Sequence, residues 1–254
     1  MPRILALLSE SFLALLVSPA IGSFLGVLVR RLPSGRPVAL ARSGCEHCGR
    51  VLGAAELLPL VSYAWQRGRC VGCGAPIGWF HPAIELAALA VAVVMVPAAG
   101  GDGLTLWAGC GLGWTCLTLA LIDLQHQRLP DILTLPLLLA GLGVCALGTP
   151  DRLASNALAA CLGWLGFRAI ALLYRRLRGI EGLGQGDAKL LAAAGAWVGL
   201  AMLPLVMGGG AFLTLLWVLG EAAWRRRMPP PQRRLPFGPG LAAACFAVWL
   251  LTAT

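Results

Sequence analysis

The feature that most constrains this chain is its succession of apolar stretches. About 20 consecutive apolar residues can cross the hydrocarbon core of a bilayer as a helix. Eight such stretches recur, at about 4–29, 82–99, 103–122, 130–148, 152–174, 187–203, 204–222 and 236–253. Only Pro204 and the glycines Gly208, Gly209 and Gly210 punctuate the boundary between the sixth and the seventh. The chain is 58% hydrophobic and 12% charged, whereas a soluble domain carries about 25% charged residues. A water-soluble enzyme and a disordered chain are both excluded by that balance. The first stretch follows a basic residue, as a signal peptide would, but has no convincing small-residue cleavage site. It reads as a retained helix.

The net charge of +9 would suggest nucleic acid in a soluble protein. In a polytopic one it reports topology, because Arg and Lys collect in cytoplasmic loops. With the amino terminus outside and eight alternating helices, the inside segments hold 17 of the 20 basic residues. Arg3 and Arg152 fall outside, and Arg168 lies within a span, where it can snorkel. Nucleic acid is therefore not an expected partner, and membrane lipid is. The expected organisation is a first transmembrane helix over 1–29, a polar cytoplasmic insert over 30–81, and a membrane domain of about seven helices over 82–254. A second polar linker, 223–235, carries Arg225, Arg226 and Arg227 and suits contact with anionic headgroups.

The insert holds two CxxC pairs, Cys45 with Cys48 and Cys70 with Cys73. Two such pairs can present four thiolates tetrahedrally, which suits a structural zinc ion. A redox pair, or no metal, is the weaker alternative in a reducing cytosol. A closed set of four sulfurs leaves no open position, so this zinc would staple the insert and not catalyse. The other five cysteines lie in apolar spans and read as packing residues.

Among only 11 acidic residues, Asp123 and Asp187 stand out. Asp123 closes the apolar run 117–122, and Asp187 opens another in Gly184-Gln185-Gly186-Asp187-Ala188-Lys189. On the topology above, both lie at cytoplasmic helix ends. A carboxylate there is costly unless paired or functional. Two brought together can share one proton, so that one activates water and the other protonates the leaving group. Gly184 and Gly186 would let a peptide backbone approach. Structural readings remain open: Asp131 and Asp187 can each complement a helix dipole, and Asp123 can pair with Arg128.

Together these motifs resemble the type IV prepilin peptidases, also called leader peptidases/N-methyltransferases, from about Ile21 to Leu241. The ordered pieces are Gly22-Ser23-Phe24-Leu25 through Arg31-Leu32-Pro33, the CxxC pairs, His81-Pro82 to Glu85-Leu86, Ile122-Asp123-Leu124 with Leu129-Pro130-Asp131, the 182–191 segment, and Pro236-Phe237-Gly238-Pro239. The resemblance implies an aspartic endopeptidase of the bacterial inner membrane with its active site facing the cytoplasm. Its substrates would be type IV prepilins or type II secretion pseudopilins, cut after a Gly that ends a short basic leader. It also implies Asp123 and Asp187 as the catalytic pair. Asp131, Gly184, Gly186, Lys189 and Glu181 would be supporting residues. Many members of the family also methylate the new amino terminus with S-adenosylmethionine. Gly26 and Leu57 stand where the family commonly has Asn, and Gln125 stands where an acid is common. Methyl transfer is thus the part of the resemblance these residues do not carry.

A basic leader meeting a basic protein face needs local relief, which Glu46, Glu56 and Glu181 are expected to supply. Two other classes fit the composition: an ion- or proton-coupled transporter, and a zinc-containing membrane assembly factor without catalysis. Transporters usually hold their carboxylates near the bilayer midplane. Helix-end positions for Asp123 and Asp187 speak for the peptidase.

Overall fold

A computed structural model describes residues 2–38, 42–179, 184–226 and 235–253. It is all-helical apart from isolated bridges among the described residues. The helices are α1 (Pro2–Arg31), α2 (Val61–Trp65), α3 (Phe80–Ala98), α4 (Gly103–His126), α5 (Asp131–Gly148), α6 (Leu153–Arg178), α7 (Gln185–Arg225) and α8 (Gly238–Ala253). Among the described residues, six helices are long and apolar enough to cross a membrane, and α8 is a shorter apolar one. The chain is a multi-pass membrane protein. It separates into two compact units, Met1–Cys110 and Gly111–Thr254, with the division inside α4.

The expected boundary at Pro204 needs correction. At 1.5 Å per residue, a straight helix of 41 residues would run about 60 Å, twice the hydrocarbon thickness. The break in α7 falls at Gly199, with φ 75° and ψ 177°, a region open essentially to glycine alone. Pro204 stays inside the helical run. The resulting segments, 185–198 and 200–225, account for two of the eight expected apolar stretches. Asn156 of α6 secures the break: its side-chain amide donates to the Ala196 carbonyl at 3.0 Å. Trp197 beside it donates its indole N–H to the Leu137 carbonyl of α5 at 2.8 Å.

In the first unit α1 packs on α3 through glycine. A β-carbon on Gly22 would stand 2.6 Å from the Glu85 Cα, and one on Gly26 would stand 3.1 Å from His81 Nδ1. The four-residue spacing of Gly22 and Gly26 puts both on one helix face, the arrangement that lets membrane helices approach closely. It also gives the Gly26 departure a physical content, because a larger side chain would have to displace His81. In the second unit α7 is the most enclosed of the spans, with α5, α6 and α8 around it. Gly195 of α7 lies against α6, where a β-carbon would come within 2.7 Å of the Ala159 backbone.

Candidate active site and four-cysteine cluster

The insert is built from two copies of one turn. Cys45 N–H donates to the Arg50 carbonyl and Cys70 N–H to the Ala75 carbonyl, each at 2.9 Å. Gly49 and Gly74 close the turns onto the Cys45 and Cys70 carbonyls with φ of 72° and 68°. Antiparallel bridges Gly44–Val51 and Arg69–Pro76 flank them. Every equivalent pair is 25 residues apart, a repeat that the CxxC spacing signals and the structure extends to the whole turn. Backbone N–H groups of Cys48 and His47 hold the Cys45 thiol down at about 6. Those of Cys73 and Gly72 likewise lower Cys70. Each turn therefore favours a thiolate on its first cysteine.

The four sulfurs lie within 4.8 Å of one another, with Cys45 and Cys73 3.9 Å apart. Metal–sulfur bonds of about 2.3 Å in a tetrahedron require sulfurs roughly 3.8 Å apart, so the cluster could hold a metal ion. Ion pairs fix its surroundings. Arg30, at the end of α1, pairs with Glu46 and lies 4.8 Å over the Phe80 ring. Arg31 donates to the Pro37, Val38 and Arg42 carbonyls. Arg50 pairs with Glu56. The acidic relief expected of Glu46 and Glu56 is thus neutralised inside the insert. Glu181 lies outside the described residues.

In the second unit, Asp123 occupies the last turn of α4 and is 6% exposed. The helix ends three residues later, and Gln127 (φ 51°) returns its N–H to the Asp123 carbonyl at 2.9 Å. A connection of four residues then leads to Asp131, the first residue of α5. Asp187 lies in the first turn of α7, partly buried. Although 64 positions separate them, Asp187 lies within electrostatic range of Asp123. Close packing of the two loops achieves this: Gly186 rests on Leu129, where a β-carbon would come within 2.9 Å of the leucine Cβ.

A glycine lies against each carboxylate. A β-carbon on Gly184 would stand 3.0 Å from Asp187 Oδ2. Gly238 N–H, at the start of α8, donates to Asp123 Oδ2 at 3.0 Å. The Pro236–Pro239 motif marks this segment in the sequence, but the task of Gly238 shows only in the structure; its signal is a glycine between two prolines at a helix start. Lys189 of α7 binds Asp131 of α5 at 2.5 Å, so Asp131 belongs to an ion pair between the first turns of these two helices. Two carboxylates in each other's field can divide the roles of base and acid.

The profile of the Type IV leader peptidase family matches residues 110–219, and that of the Bacterial Peptidase A24 N-terminal domain matches 16–98. Several curated relatives are named prepilin leader peptidase/N-methyltransferase. One from Burkholderia pseudomallei (strain 1026b) is 42% identical, over 91% of this chain and 82% of the relative. Another from Aeromonas hydrophila is 38% identical over 91% and 87%, and one from Pseudomonas aeruginosa is 35% identical over 91% and 86%. The chain belongs to the type IV leader peptidase family. It is a membrane peptidase, and neither the transporter nor the assembly-factor reading finds support. No solved structure matches this leader peptidase.

Proposed function

We propose that this leader peptidase is an aspartic endopeptidase that removes the basic leader from type IV prepilins or type II secretion pseudopilins. The carrying observation is that Asp123 and Asp187, from helices far apart in sequence, lie within electrostatic range of each other, with the Gly238 N–H bound to the first. The ionised partner takes a proton from water as it attacks the scissile carbonyl. The protonated partner polarises that carbonyl and then protonates the departing amine. The Asp131–Lys189 pair ties the start of α5 to the start of α7 and so supports Asp187. Asp123→Asn and Asp187→Asn should each abolish processing of a prepilin by the purified, folded protein. Leader cleavage that persists in both variants overturns the assignment.

The arginine distribution supports an inner-membrane location with residues 30–81 and the site on the cytoplasmic side, and residues 82–254 as the membrane catalytic part. Cys45, Cys48, Cys70 and Cys73 would hold a zinc ion, which closes the insert as a staple.

We propose methylation of the new amino terminus as a second activity, with S-adenosylmethionine supplying the methyl group as a sulfonium cation. A cavity of about 280 Å³ in the first unit is the candidate place for it: Glu46, Glu56 and Glu85 face Arg30, Arg31 and Arg36 across its lining, a mixed charge that suits a ligand with both a sulfonium and an amino-acid carboxylate. Glu85 is 5% exposed and accepts the Leu60 N–H at 2.8 Å. That bond anchors a tight turn in which Val61 N–H reaches the Pro59 carbonyl across Leu60, at φ 60°. Glu56→Gln should weaken retention of labelled S-adenosylmethionine in equilibrium dialysis of the full chain. Unchanged retention removes the cavity from consideration.

A further inference from the structure

The segment from Leu57 to Trp79 presents apolar side chains that the protein leaves uncovered. Leu58 lies in the turn that precedes α2, and Val61 and Trp65, four residues apart, share one face of it. They are 52%, 58% and 83% exposed, and Leu57 beside them is 45% exposed. Such a contiguous apolar surface marks an interaction site in a protein bathed in water. Trp79 fixes its depth. It is 75% exposed and directly precedes α3, whose first residue, Phe80, opens a membrane-length span. An indole at that position belongs at the headgroup level of a bilayer. Tyr63 of α2 packs on Trp79 with ring centroids 5.6 Å apart, so α2 lies at the same level. Arg67 and Arg69, both exposed, follow α2 and add positive charge at the edge of the apolar surface.

From this arrangement we infer that the α2 edge is an interfacial membrane anchor. Leu58, Val61 and Trp65 enter the boundary between headgroups and acyl chains, and Arg67 and Arg69 meet anionic phospholipid headgroups. A lipid surface is the occupant that fits, because the depth set by Trp79 and the positive rim both match it. Basic protein segments, by contrast, would be repelled by the rim. Arg69 immediately precedes Cys70, so the anchor runs straight into the second cysteine turn and holds the four-cysteine cluster close to the membrane surface.

The test places a photoreactive residue, Trp65→p-benzoylphenylalanine, in the full chain reconstituted into vesicles. The replacement keeps an aromatic ring at an exposed position, and helicity and melting temperature check the fold. Irradiation in vesicles containing phosphatidylglycerol should give phospholipid adducts at position 65. Their yield should fall several-fold in pure phosphatidylcholine vesicles, and by a similar factor when Arg67→Gln and Arg69→Gln are combined. Absence of lipid adducts overturns the anchor. So does preferential crosslinking to an added prepilin or to a second copy of the chain, which would make this edge a protein-binding surface. Equal yields from both vesicle types overturn the role given to the arginines.

Discussion

Gly238→Ala isolates the support of one carboxylate from the general stability of the protein. The added methyl would stand 2.7 Å from Asp123 Oδ2, 2.9 Å from Cγ and 3.2 Å from Cβ. Asp123 is 6% exposed, so its carboxylate has little free space into which to retreat. Gly238 itself has an ordinary φ, and alanine costs no backbone strain there. A hydrogen bond to a charged group contributes about 1.5–3 kcal/mol. At about 1.4 kcal/mol per factor of ten in rate, its loss lowers kcat roughly 10- to 100-fold. A displacement of about 1 Å leads independently to a factor of about 100. The assay measures kcat and KM for a leader peptide cut by the purified variant, beside its melting temperature. The expected outcome is a fall in kcat of that size with KM changed less than about twofold, because the contact is made to the reacting group and not to the substrate's remote parts. Gly143→Ala is the control, since nothing lies within 4 Å of its added methyl; it should leave kcat unchanged. Full activity of Gly238→Ala, or a loss confined to KM, would refute the argument.

Other outcomes follow from the same geometry. The full chain should carry one zinc ion by elemental analysis, lost in Cys48→Ser and on acidification, because protons compete with the metal for thiolates; a folded protein with no zinc at neutral pH contradicts the staple. Lys189→Met and Asp131→Asn remove an ion pair that is one-third to one-half exposed, so their coupling in a double-mutant cycle on thermal stability should stay near or below about 1 kcal/mol. A much larger coupling would mean that the pair is more deeply engaged than its exposure implies. Gly195→Ala inserts a methyl within 2.7 Å of the Ala159 backbone and should destabilise the second unit by about 1–3 kcal/mol, read as a lower unfolding midpoint in detergent. An unchanged midpoint would show that α6 and α7 can separate without cost.

An apolar stretch of bilayer length has few alternatives to a helix, because backbone polar groups in hydrocarbon must bond within the segment. The eight stretches and the helical class were therefore readable without coordinates. The two CxxC pairs were equally legible, since spacing within each pair sets the local turn. What remained hidden depends on contacts between distant segments. The break in α7 falls at Gly199 and not at Pro204, because proline can be absorbed within a helical run while φ 75° with ψ 177° excludes almost everything but glycine. Glu46 and Glu56 looked free to attract a basic leader, and only the tertiary structure pairs them with Arg30 and Arg50. The approach of Asp187 to Asp123 is likewise a tertiary result. It arises where Gly186 meets Leu129 and where α8 delivers the Gly238 N–H, 115 residues along the chain from the carboxylate it holds. Periodicity and spacing report what a residue does to its own few neighbours; which distant backbone atom comes within hydrogen-bond reach is decided by helix packing.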